Sequence, residues 1–214
     1  EFRRVLFRSN VTDVLDVPGL GRFTVSLVDA ANACCFVRAD ELGVRGTESP
    51  EEIDANPALL EKLQAIRLAA SVAMGIAGNI EEARQKRLVP FIGFIAPPRD
   101  AATLTGETLA AADMDLTGRI ISNGQPHRAL PLTGSLCVAV AARIEGSVVH
   151  AMTRPAADHE TPIRIAMPSG ILTVGASVEK RNGQWHAEQG AFYRTQRRLF
   201  EGKVLVRMPE TAGV

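Results

Sequence analysis

The stretch SNGQPHRALPLTGSLCVAVAARIEGSVV, residues 122–149, decides how this chain folds. It runs from a polar turn carrying His127, through a short apolar segment, into Thr133-Gly134-Ser135. The apolar run 136–144 predicts a helix that stops at Glu145-Gly146. A Thr-Gly-Ser start leaves backbone N–H groups without partners at the positive end of the helix dipole, which suits an anion. Leu136, Val138, Ala139, Val140, Ala142 and Ile144 are apolar or small on nearly every side of that helix, so it is expected to be buried. A buried helix aimed at a polar turn fits a carboxylate-bearing ligand better than a purely structural role.

Upstream, residues 11–17 and 23–28 have strand composition and are joined by the turn Pro18-Gly19-Leu20-Gly21. A third strand, 34–38, follows Asp29-Ala30-Ala31-Asn32. Ser49-Pro50-Glu51-Glu52 and Asn56-Pro57 are helix starts, the second opening a helix to about Ala77, ended by Gly78-Asn79. The run 89–96 reads as a strand, and 108–122 as two strands around Asp113-Met114-Asp115. Downstream, 147–152 has strand composition and 154–161 is a polar loop. Residues 163–166 and 171–178 are strands about the Met167-Pro168-Ser169-Gly170 turn. Arg181-Asn182-Gly183 is a hairpin turn leading to strand 185–192, and a last strand covers 203–206. Many strands with two or three helices, one of them buried, make an α+β domain with a curved, mixed or antiparallel sheet wrapped around a central helix.

The composition excludes several classes. Among 214 residues, 24 Lys and Arg balance 24 Asp and Glu, so no global field draws nucleic acid or an anionic membrane surface. No apolar run approaches the ~20 residues of a membrane span. Three cysteines, two of them adjacent, make neither a disulfide framework nor a zinc motif, and reduced thiols in a cytoplasmic protein are expected. No metal or cofactor is expected. The opening EFRRVLFRS, residues 1–9, resembles a translated adapter rather than a targeting peptide, so the natural sequence is expected to begin near Asn10.

Five blocks in order carry a resemblance to a known family. They are Asn10-Val11-Thr12-Asp13 with Leu15-Asp16-Val17-Pro18-Gly19, then Val28-Asp29-Ala30-Ala31-Asn32, and then His127-Arg128-Ala129 with Thr133-Gly134-Ser135. Pro168-Ser169-Gly170 follows, and last Arg194-Thr195-Gln196-Arg197-Arg198-Leu199 with Glu201-Gly202. The chain resembles the PrpF family, the cofactor-independent 2-methylaconitate cis-trans isomerases and related 4-oxalomesaconate tautomerases. The resemblance implies a diaminopimelate epimerase-like fold of two lobes, with residues 10–208 as the second lobe and 209–214 as a tail. On that reading the partner is the first lobe of the same protein, the chain alone is inactive, and most proton-moving residues lie outside it. The catalytic residues are therefore not assigned.

Substrate-binding candidates are His127, Thr133, Gly134, Ser135, Ser169, Gly170 and Asn32. Removing and returning a proton beside a carboxylate requires donors that hold anions and stabilise an enolate-like intermediate, which helix N-terminal N–H groups do. The bland readings are an ordinary N-cap for Thr133 and Ser135, a solvated turn for His127 and a plain strand connection at Ser169. Asn32 could order its own loop, and Arg194 and Thr195 could bind an anion or lie on a solvated face. Cys137 reads as a packed core thiol, and Cys34 and Cys35 as one buried and one outward residue on a strand. A β-branched residue at Gly134 is expected to abolish ligand binding and leave the fold.

Two positions depart from the family's pattern. Met167 stands where the family usually has His, and Ala33 where it has Pro. Racemases of the same fold place Cys at the position of Thr133, so Thr133 argues for isomerase or tautomerase chemistry over the two-thiol mechanism. The alternative to a catalytic role is a small-carboxylate-binding module or an inactive fragment.

Overall fold

The strand ACCFVR, Ala33–Arg38, is buried on both of its faces, and this shows how the molecule is layered. Cys34 and Phe36 belong to one apolar cluster, Cys35 and Val37 to another, so the sheet containing them has a separate core on each side. The computed structural model describes residues 10–156, 158, 160–193, 198–203, 205 and 206. The adapter-like segment 1–9, the tail 209–214 and residues 194–197, including Arg194 and Thr195, lie outside these.

The sheet contains β1 (Asp13–Val17), β2 (Gly21–Asp29), β3 (Ala33–Arg38), β4 (Phe91–Ala96), β7 (Leu116–Ser122), β9 (Ile163–Met167), β10 (Gly170–Arg181) and β11 (Gln184–Tyr193), in that spatial order. The short β8 (Gln125–Pro126) pairs with β7, and β5 (Ala101–Ala102) with β6 (Thr108–Leu109) forms a separate ribbon. Neighbours are antiparallel except β3–β4 and β7–β9. Those two parallel pairs need crossovers. The first crossover carries α1 (Ala39–Leu42), α2 (Pro50–Asp54), α3 (Pro57–Ala73) and α4 (Ile80–Gln85). The second carries α5 (Leu132–Arg143) and α6 (Val148–Met152). Helix α3 packs on β1 and β4 over one core, and α5 packs on β10, β11 and β2 over the other. Because β2 and β11 lie toward opposite edges, a sheet touching α5 from both must curve around it. The fold is therefore α+β with a mixed sheet.

Helix α5 is buried from Gly134 through Arg143, as its apolar circumference requires. It begins four residues earlier than the sequence suggests. Pro131 is its N-cap, with no side-chain hydrogen bond, so Thr133, Gly134 and Ser135 are inside the first turn. Close approach explains a glycine opposite it: a Cβ on Gly190 of β11 would stand 2.3 Å from Leu136 Cδ1.

Several expectations are corrected. Residues 148–152 are helical, because the Ser147 hydroxyl accepts from His150 N–H and donates to the Ala141 carbonyl at 2.6 Å, overriding the strand preference of Val148 and Val149. Helix α3 ends at Ala73, and Asn79 does not end a helix but caps the next, accepting from Glu82 N–H at 2.9 Å. Cys35 does not point outward, since α3 covers that face of the sheet. Residues 203, 205 and 206 lie in no strand. The Asn182-Gly183 hairpin is present, with positive φ at both residues.

One buried cation ties the layers together. Arg119 of β7 is 2% exposed, donating through Nε to the Glu48 carbonyl at 2.7 Å and through Nη1 to the carbonyls of Gly118 and Ala166. Burial pushes its guanidinium down to about 10 against the attraction of Glu48 and Glu52.

Candidate carboxylate-binding site

The N–H groups of Leu132, Thr133 and Gly134 have no acceptor among the described residues, whereas Ser135 N–H already bonds the Pro131 carbonyl at 2.8 Å. Thr133 is exposed and Gly134 buried, so the helix end meets the surface within one turn. No acid sits in that turn to answer the dipole, and Arg143 occupies the last turn, where a cation is favoured. Ser135 is committed internally. Its side chain is 0% exposed and its hydroxyl donates to the Leu132 carbonyl at 2.9 Å. The first turn can therefore offer backbone donors and the Thr133 hydroxyl, but not Ser135.

His127 reaches the same corner from the β7–β8 hairpin. Asn123 and Gly124 turn the chain with positive φ, and His127 N–H donates to the Ile120 carbonyl at 2.9 Å. Its Nε2 lies 2.6 Å from Ser122 Oγ. The ring is tilted 48° to Phe91, with centroids 6.1 Å apart. Phe91 also borders α5, since a Cβ on Gly134 would stand 3.5 Å from its ring and only 2.8 Å from Ile120 Cδ1. Imidazole, Phe91 and the first turn of α5 thus share one corner. Burial holds His127 below its ordinary value and favours the neutral ring.

The loop before β3 closes another side. Cys137, one turn into α5, donates to the Asn32 carbonyl at 3.1 Å. Its thiol is drawn down to about 7 by the Cys34 side chain and by the backbone of Ala31, Ala30 and Asn32, against burial. Cys34 moves the other way, raised by burial first and by its proximity to Cys137. Both thiols are fully buried, which agrees with a core role for Cys137. Asn32 itself is half-buried, and its backbone carbonyl is the atom that meets α5.

The Pro168-Ser169-Gly170 turn approaches from β9–β10. Leu130 N–H points at Met167 Sδ at 3.2 Å, so the methionine sulfur receives the strap between His127 and α5. Ser169 is exposed, and Gly170 has φ of 132°, a conformation that favours glycine. No hydrogen bond joins Ser169 or Gly170 to His127 or Thr133 among the described residues. Arg128, beside His127, pairs instead with Glu51 of α2 at 2.5 Å.

The structure thus brings His127 and Gly134 against the same Phe91 ring, ties the Asn32 carbonyl to Cys137 further along α5, joins only Met167 of the β9–β10 turn to the strap, and commits the Ser135 hydroxyl to the Leu132 carbonyl. Ser122 and Phe91 were not legible as site residues. The Asn123-Gly124 pair was the available signal for Ser122, because a two-residue turn there brings Ser122 and His127 side by side. Among the described residues no group of three or more His, Cys, Asp or Glu could hold a metal ion.

A mixed sheet curved over a buried helix, with an uncapped helix end and a half-buried histidine that both meet Phe91, defines the chain as an α+β protein. Comparison with known proteins makes this specific. Residues 3–207 match the model of the PrpF protein family, and the chain belongs to that family. It is 36% identical over 200 residues to a 2-methyl-aconitate isomerase of Shewanella oneidensis, covering 94% of this chain and 50% of that protein. It is 37% identical over 205 residues to a 3-methylitaconate isomerase of Eubacterium barkeri, covering 95% of this chain and 52% of the other. The crystal structure of a methylitaconate-delta-isomerase superposes with a TM-score of 0.80 at 32% identity, over 90% of this chain and 51% of that one. The chain spans about half the length of the curated relatives it matches. A (4E)-oxalomesaconate delta-isomerase of a Novosphingobium strain is more distant, at 28% identity. No helix among the described residues is long and apolar enough to cross a membrane.

Proposed function

We propose that this chain forms the carboxylate-holding part of a cofactor-independent isomerase for unsaturated tricarboxylates, acting by proton abstraction and return. The reactions would be cis-trans isomerisation of 2-methylaconitate or tautomerisation of 4-oxalomesaconate. The lobe is epimerase-like, and the groups that take and return the proton face α5 from a second lobe. In such a step an allylic C–H bond breaks, its electron pair spreads into the double bond and the adjoining carboxylate, and a C–H bond re-forms with the double bond rotated or moved. Charge accumulates on a carboxylate, so fixed donors at that group lower the barrier. The observation that carries this reading is the first turn of α5, whose free N–H groups have no side-chain cap and whose Gly134 meets the same Phe91 ring that faces His127. A neutral imidazole adds one donor there without a counter-charge.

Backbone amide NMR with trans-aconitate as probe tests it. Saturable shifts are expected at Leu132, Thr133, Gly134 and His127. Titration to millimolar probe with no movement at these four amides, or with movement only at exposed arginines, would refute the reading.

A further inference from the structure

We infer that Ser122 is a positioning residue for His127, its hydroxyl donating to Nε2 so that the neutral ring carries its proton on Nδ1 and offers that N–H to a carboxylate. The inference rests on the carboxylate reading above for its direction and on the hairpin for its geometry. Ser122 Oγ and His127 Nε2 are 2.6 Å apart. The contact is held by the backbone at several points. Ser122 pairs with Gln125 and Ile121 with Pro126 across the hairpin, and His127 N–H is fixed on the Ile120 carbonyl. Asn123 and Gly124 supply the two positive φ values such a tight turn needs. Phe91 limits rotation of the imidazole from another side.

The proton's place follows from elementary chemistry. A neutral imidazole has one donor nitrogen and one acceptor, and the hydrogen bond made by one decides the state of the other. An ionised carboxylate only accepts. For His127 to serve one, the nitrogen not engaged by Ser122 must carry the proton, and Nε2 must then accept. A serine hydroxyl can supply that donor by rotating about its C–O bond. The opposite arrangement, Nε2–H donating to Ser122, would present a lone pair at Nδ1 and repel the anion. Half-burial of His127 supports the neutral ring on which this argument depends.

Long-range 1H–15N spectra of the 15N-labelled chain decide the matter, recorded at a pH where His127 is neutral. The expected wild-type pattern is a protonated Nδ1 and an unprotonated Nε2. Ser122→Ala should give a mixed or reversed tautomer, and Ser122→Thr should restore the original one. A residue that merely supports the hairpin would leave the tautomer unchanged in Ser122→Ala while lowering stability. A wild-type Nε2–H ring, or a tautomer indifferent to Ser122→Ala, overturns the inference. A trans-aconitate titration of the same samples separates it from the carboxylate reading. Ser122→Ala should weaken binding about two- to tenfold, the worth of one net hydrogen bond. Expected tautomers with no response of His127 or α5 to trans-aconitate would uphold the positioning role and sink the carboxylate site.

Discussion

Gly134→Ala tests how tightly the proposed anion site is built into the core. In an exposed helix this change stabilises, by about 0.5–1 kcal/mol, because alanine loses less backbone freedom on folding. At Gly134 the new methyl would stand 2.8 Å from Ile120 Cδ1, and Ile120 is 1% exposed. Ordinary carbon contacts lie near ~3.5–4 Å, so Ile120 must yield by about 1 Å inside a packed cluster. Overpacking of that kind costs about 1–3 kcal/mol, partly relieved because Cδ1 is the far end of its side chain. The second effect outweighs the first, leaving a net loss of about 0–2 kcal/mol. At ~2–4 °C per kcal/mol for a chain of this size, the melting temperature should fall by up to about 8 °C. A β-branched residue adds more atoms at the same point and should cost more stability than alanine. Thermal and urea unfolding followed by circular dichroism gives the sign directly. A Gly134→Ala protein that melts higher than wild type would show that Ile120 has room, and that the glycine is not there for close packing.

Two further outcomes follow from buried groups. Cys35 is held above its ordinary value of 9.0 by burial, and Cys34 likewise, so in the unfolded chain they ionise first. Above pH 9 the folded state then binds more protons than the unfolded one, and stability should fall as pH rises. Cys137, drawn down to about 7, works oppositely and adds stability between about pH 7 and 9. Urea midpoints measured from pH 7 to 10.5 should therefore rise slightly and then drop, and Cys35→Ala should soften the drop. A midpoint falling steadily from pH 7 contradicts the Cys137 assignment. Asp115→Asn tests the link between β7 and β9: Asp115 accepts from Arg164 N–H at 2.8 Å, from Nη2 at 2.8 Å and from Nε at 3.3 Å, with its side chain 16% exposed. Losing the charge should cost about 1–3 kcal/mol in chemical denaturation, and a change under about 0.5 kcal/mol would show that the pair is merely superficial.

What could be read from the residues, and what could not, divides along a physical line. Features set by a few neighbours were legible. The Arg181-Asn182-Gly183 hairpin, the Ser49 and Asn56 helix starts and the burial of α5 each follow from local turn chemistry or from the apolar face of one segment. Features set by the second face of the sheet were not. Cys35 reads as outward because strand residues alternate, and nothing in ACCFVR reveals that α3, some twenty residues later, covers that side. Val148 and Val149 read as strand because Ser147 cannot announce that its hydroxyl will join α6 to the end of α5. The site shows the same division. A helix start near Thr133-Gly134-Ser135 was legible to within four residues, whereas Ser122, five residues before His127, meets the imidazole only once the Asn123-Gly124 turn folds one against the other. The same logic explains why Ser135 is bonded within the helix although it belongs to the motif. A helix starting at Leu132 rather than Leu136 turns Ser135 from a cap into a fourth helical residue, and its N–H and hydroxyl are taken by the turn before it. The unpaired N–H groups therefore belong to the backbone of residues 132–134, where substitution of side chains changes access and packing more than it changes the donors themselves.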